Sequence, residues 1–235
     1  MVYVINPIDP TIKSLRRLVR YLEANVKGIE VIFVCPGKSF KETVHRKISK
    51  IPLGATFIFM GHGRSDALFG SRGIHWNAMI ESDDDDVPVE YYNDEKFIDK
   101  ETYGLFDGKR LVLFACNSVD LGETLIEHGA SVALGFDRLP TTKDEFQDDW
   151  NIHASVHLIA AMNGCLNVAF RNAMVRACND NITFARIESL MRMELQRQIV
   201  DVLTSRARYR YDLANVLSHV KRNLRVEGDR KLKLE

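Results

Sequence analysis

The chain has 235 residues, enough for one substantial α/β domain with its own core. Lys+Arg and Asp+Glu both number 32, so the formal charge is zero and gives no argument for nucleic acid or an anionic membrane as partner. No apolar run nears the ~20 residues of a membrane span, and "MVYVINPIDP" has neither the basic region nor the cleavage site of a signal peptide.

In chain order, "VYVIN" from Val2 to Asn6 is a short β-rich run. From Thr11 to Lys27, Ile12, Leu15, Leu18, Val19 and Leu22 fall on one face of a helix that Gly28 can end. "IEVIFVC" (Ile29 to Cys35) reads as the second strand, Phe40 to Ile51 as a helix and "ATFIFM" (Ala55 to Met60) as the third strand. A fourth strand is expected over Arg110 to Cys116, a helix over Asp120 to His128 and a fifth strand over Ser131 to Phe136. Three helical segments follow: Phe146 to Met162, Val168 to Cys178, and Ile182 to about Leu217. β character returns near Gly228-Asp229, which predicts a late strand on the same sheet. Apolar strands alternating with helices imply a mostly parallel sheet, of about six strands, covered on both faces. The expectation is one domain over residues 1–235, a three-layer αβα sandwich. An irregular acidic insertion at about 71–108 interrupts it, including Asp83 to Asp86.

Two strand ends carry chemistry. "FIFMGHGRSDALFG" (Phe57 to Gly70) closes the third strand on His62 between Gly61 and Gly63, and "LVLFACNS" (Leu111 to Ser118) closes the fourth on Cys116. Reactive groups of open α/β sheets gather beyond the carboxyl ends of the strands. If these two strands are neighbours, the imidazole and thiol share one site, as nucleophilic attack on a carbonyl requires. Gly63 lacks a Cβ, so its N–H can approach a substrate and, with the Cys116 N–H, form an oxyanion hole.

These stretches resemble the His-Gly and Ala-Cys motifs of caspase-like (clan CD) cysteine peptidases, with a His62-to-Cys116 separation similar to the roughly 50 residues of caspases. The order of "INPIDP", "GETLIEHGASVALGF", "IHASVHLIAAMNGCLNVAFRNA" and "VEGDRKLKL" is similar to the CHAT group of that clan. The resemblance spans nearly the whole chain. It implies a caspase-like fold and a cysteine endopeptidase with Cys116 as nucleophile and His62 as general base and acid. Such enzymes need no cofactor and no metal. It also implies a protein substrate and a regulatory protein partner, in prokaryotic defence or cell death. Basic-specific relatives carry an acid two residues before the cysteine, where this chain has Phe114. Asp137, after the fifth strand, is the candidate substitute for binding Arg or Lys, although Arg138 and Arg64 argue against it and a capping role competes.

Other features have plainer readings. Cys35, Cys116, Cys165 and Cys178 lack CxxC spacing, which fits free thiols in a reducing cytoplasm. His153 and His157 are spaced for one helix face, but HExxH is absent and a packing role is expected. The aspartate run lacks the spacing of a calcium loop, and the insertion reads as a place for self-cleavage at Arg72, Lys96 or Lys100. "RARYRY" (Arg206 to Tyr211) reads as a helical surface rather than a nucleic-acid contact. The alternatives to a peptidase are a catalytically inactive interaction module of the same fold and a small-molecule binder, the latter disfavoured because P-loop and GxGxxG motifs are missing.

Overall fold

A computed structural model describes residues 1–9, 12–35, 37–70, 96–140 and 143–235. The Asp83–Asp86 run and Arg72 lie outside them. Nine strands are described: β1 (Val2–Pro7), β2 (Ile29–Val34), β3 (Thr56–Met60), β4 (Gly63–Arg64), β5 (Ala67–Phe69), β6 (Lys96–Ile98), β7 (Arg110–Phe114), β8 (Val132–Gly135) and β9 (Arg225–Gly228). The helices among the described residues are α1 (Lys13–Asn25), α2 (Lys38–Lys50), α3 (Ser118–Glu127), α4 (Lys143–Trp150), α5 (Val156–Asp180), α6 (Phe184–Thr204) and α7 (Arg210–Asn223). None of them is long and apolar enough to cross a membrane.

The main sheet has the order β2-β1-β3-β7-β8-β9. Its first five strands run parallel, and β9 returns antiparallel along β8. Side chains alternate between two cores, because strand periodicity is two. Val2, Val4, Ile58, Met60, Val112 and Phe114 face α1, α5, α6 and α7. Tyr3, Ile5, Phe57, Phe59, Leu111 and Leu113 face the opposite core, with α2 and α3. Both faces are dry, which is why these strands read as continuous apolar runs. The result is a mixed α/β fold with a mostly parallel six-stranded sheet, compatible with a three-layer sandwich.

The helices depart from their sequence boundaries in instructive ways. The expected helix over Phe146 to Met162 is two. α4 ends before Asn151, which sits at φ 53°, and α5 restarts where Ser155 Oγ accepts from Leu158 N–H at 3.1 Å. The segment over Val168 to Cys178 is the second half of α5, which runs unbroken through Asn163-Gly164 to a left-handed Asn181. The long segment from Ile182 is also two helices, with Thr183 capping α6 and "RARYRY" forming the joint into α7. His153 precedes α5 while His157 lies in its first turn, so the two do not share a helix face. The end of the expected insertion is regular: β6 pairs with β5 and buries Phe97 and Ile98, and Lys96 Nζ donates to Asp66 at 2.8 Å.

One buried hydroxyl ties the two strands that frame the sheet's carboxyl edge. Ser118 Oγ lies 2.8 Å from the carbonyls of Leu113 and Ala115 and accepts from Phe136 N–H at 2.9 Å. It links the end of β7 to the end of β8. Ser118→Ala strands a buried N–H, so urea unfolding should show a loss of about 1–3 kcal/mol.

Candidate active site

β3 and β7 are neighbours, which is the condition the two motifs needed. Their register pairs Met60 with Phe114, and Gly61 N–H donates to Phe114 O at 3.3 Å, carrying the pairing one step beyond the strands. His62 and Cys116 therefore follow at matching positions on adjacent strands, whose spacing is about 5 Å. Both line one cleft of about 40 Å³, with Ile12, Leu15, Phe114 and Leu139 among its walls.

Each side chain is held from below. Asn6, fully buried at the end of β1, donates to Met60 O at 2.9 Å and fixes the chain just before the His-Gly turn. Asp9, also fully buried, places Oδ2 3.6 Å from His62 Nε2, at ion-pair rather than hydrogen-bond distance. On the other side, Asn117 takes the left-handed conformation at φ 50°, and its N–H donates to Asp137 O at 2.7 Å. Asparagine tolerates this conformation, and the turn lets α3 start two residues after Cys116.

The glycines answer to packing. A Cβ on Gly63 would stand 2.9 Å from both Ala115 Cβ and Cys116 O, and one on Gly61 would meet the Phe59 ring and Pro7. The missing Cβ of Gly63 thus admits the Ala115-Cys116 chain, whereas the sequence reading reserved that room for a substrate. The same contact lays the Gly63 and Cys116 backbones side by side.

The thiol is closed off. Cys116 Sγ donates to Leu139 O at 3.0 Å, so it carries its proton there. Burial, reinforced by the carboxylates of Glu145, Asp149 and Asp137, pushes its pKa up to about 12. Burial also raises the thiols of Cys165 and Cys178, the latter to about 12. Leu139 is itself buried and caps the cleft.

Asp137 reaches the same sheet edge but turns to α7. His219 Nε2 lies 3.1 Å from its Oδ2, and Asn223 Nδ2 donates to that oxygen at 3.2 Å. It does not line the cleft, and no carboxylate does among the described residues. Arg138 pairs with Asp149 at 2.7 Å, and Arg64 pairs with Asp66 at 3.1 Å. Phe114 is core: its ring stacks on Phe170 at 4.3 Å and meets Phe136 edge-on at 5.2 Å. Among the described residues, no three His, Cys, Asp or Glu side chains gather as a metal site.

Sequence reasoning missed Asp9 and Leu139. Asp9 was open to discovery, since it follows β1, the other neighbour of β3, at the same carboxyl edge. Leu139 carried no signal, because only its position over the thiol sets it apart. No family model, curated protein or solved structure matches this chain.

Two measurements probe this geometry. Gly63→Ala should lose about 1–3 kcal/mol in denaturant unfolding by overpacking, while Gly104→Ala, with open space around its Cβ, should change little. Alkylation of Cys116 by iodoacetamide, followed by mass spectrometry, needs the thiolate. With the pKa raised to about 12, the rate should be low near neutrality and climb roughly tenfold per pH unit toward it. A plateau already reached near pH 7 would contradict the closed, protonated site.

Proposed function

We propose that the protein is a cysteine endopeptidase of the caspase-like kind, held closed in the resting state. One observation carries the reading: His62 and Cys116 stand at matching ends of adjacent parallel strands and line one cleft. The resemblance of their motifs to the CHAT group supports the same chemistry. In the open form the His62 imidazole takes the Cys116 proton, and the thiolate sulfur bonds to the scissile carbonyl carbon. The N–H groups of Gly63 and Cys116 hold the oxyanion, a donor pair of which each member typically lowers the barrier by about 3 kcal/mol. The imidazolium, oriented from behind by Asp9, returns the proton to the leaving amine as the C–N bond breaks. Water then hydrolyses the thioester, with His62 again taking a proton.

A cleft of about 40 Å³ admits little more than one water, so substrate entry requires residues 137–140 to withdraw from Cys116. This is where a regulatory protein partner would act, consistent with an effector in defence or cell death. Four free cysteines fit a reducing cytoplasm.

A second reading is favoured by the protonated thiol itself: a non-catalytic interaction module that keeps the fold and buries the cysteine for packing. A peptidyl acyloxymethyl ketone separates the two readings, since it labels a working Cys-His pair. Labelling and peptide hydrolysis that vanish in Cys116→Ala and fall at least about 100-fold in His62→Ala establish the peptidase. Asp9→Asn should cut kcat about 10–100-fold with little change in KM, since it only orients the ring. Hydrolysis that persists in Cys116→Ala sinks the assignment.

A further inference from the structure

We propose that the groove between α1 and α5 is a substrate exosite that binds an acidic peptide segment; this rests on the peptidase reading and names its substrate class. The groove has a volume of about 700 Å³ and runs directly out of the cleft, because Ser14, Asn163 and Asn167 line both. α1 and α5 run in the same direction along it. Ser14 stands with Asn163 at the cleft end, Tyr21 lies under Arg171 at the far end, and Asn179 reaches the Asn25 carbonyl beyond.

Its chemistry is that of an anion-binding peptide track. Arg17 and Arg171 are its charged lining residues, and no Asp or Glu lines it among the described residues. The Arg171 guanidinium sits 4.7 Å over the Tyr21 ring and its Nε donates to Asn172 Oδ1 at 3.3 Å, which hold it in place and leave its terminal nitrogens to face a carboxylate. Asn163 and Asn167 offer amides that suit a peptide backbone.

Gly164 is a second, independent sign. It sits inside a 25-residue helix, where glycine is unfavourable relative to alanine. Among the described residues nothing lies within 4 Å of the Cβ it lacks, so no packing among them calls for it. It lines the groove and leaves the floor bare, where a side chain would stand in a ligand's way. Asn163, Asn167 and Arg171 are spaced by four, so Arg171 lies about 12 Å along the helix from Asn163. An extended peptide covers that in about four residues. The acidic side chain therefore lies about four residues from the one seated at Cys116.

The test uses Cys116→Ala protein and a fluorescein-labelled ten-residue peptide with four glutamates, read by anisotropy. Its counterpart with four glutamines and a ten-nucleotide oligothymidylate are the controls. The glutamate peptide should bind at least about 10-fold more tightly than the glutamine peptide, and Arg17→Glu with Arg171→Glu should remove that advantage. Gly164→Leu should weaken binding similarly while raising the melting temperature by about 2–4 °C, so lost binding there is not lost folding. Equal binding of both peptides, no arginine-dependent binding at millimolar peptide, or tighter binding of the oligothymidylate would overturn the proposal. The same peptides are then offered to protein that keeps Cys116 and carries Leu139→Gly to loosen residues 137–140. Cleavage that depends on Cys116 but ignores the glutamates overturns the exosite and leaves the peptidase. Arginine-dependent binding without cleavage supports the groove and overturns the peptidase reading.

Discussion

Parallel pairing of Thr56–Met60 with Arg110–Phe114 is the constraint on which the whole carboxyl edge of the sheet depends. Because the two strands keep register to their last residues, whatever follows them emerges at one level. His62 and Cys116 line one cleft for that reason, although 53 residues of chain separate them. The pairing also brings Gly63 against Ala115 and Cys116 so closely that a methyl group would not fit. Asn6 and Ser118 then lock the flanking strands β1 and β8 to the same edge by buried hydrogen bonds. An error of one residue in this register would turn the imidazole and thiol to opposite faces.

The edge is built accurately and then shut. Leu139 covers Cys116, its carbonyl takes the thiol proton, and burial with three nearby carboxylates disfavours the thiolate. Stability and reactivity pull against each other here. A dry, protonated thiol is the comfortable state for a folded protein, and a nucleophile needs water, a base and space. The strap over residues 137–140 is tied at its start, by His219 and Asn223 at Asp137 and by Asp149 at Arg138, and by the Cys116 thiol at the Leu139 carbonyl. The ties at Asp137 and Arg138 are polar and partly exposed, whereas Leu139 is buried in the larger core, so withdrawing the strap also uncovers that side chain.

Much of the fold was legible from the sequence because its signals are local. Strand alternation with helices, the number of strands in the main sheet and the return of β9 all follow from hydrophobic runs and their spacing. Helix boundaries were less legible. Asn163-Gly164 reads as a break, yet α5 passes straight through it, because Leu158, Met162, Leu166, Ala169 and Phe170 bury a continuous stripe that outweighs one glycine. The true break at Asn151 to Ser155 depends on a left-handed asparagine and a serine cap, signals too short to stand out beforehand.

The sequence by itself determined which residue types end the central strands, and with them His62 and Cys116 as a pair, since strand ends and motif spacing are local properties of the chain. Tertiary structure alone decided the state of that pair. Asp9 stands behind the imidazole because β1 lies beside β3, and Leu139 lies on the thiol because the chain after β8 folds back over β7. Asp137 is spent on α7, which packs there from more than 70 residues downstream. Burial, charge neighbours and hydrogen-bond partners are sums over distant segments, so neither the closed thiol nor the groove beside it is written in any one stretch.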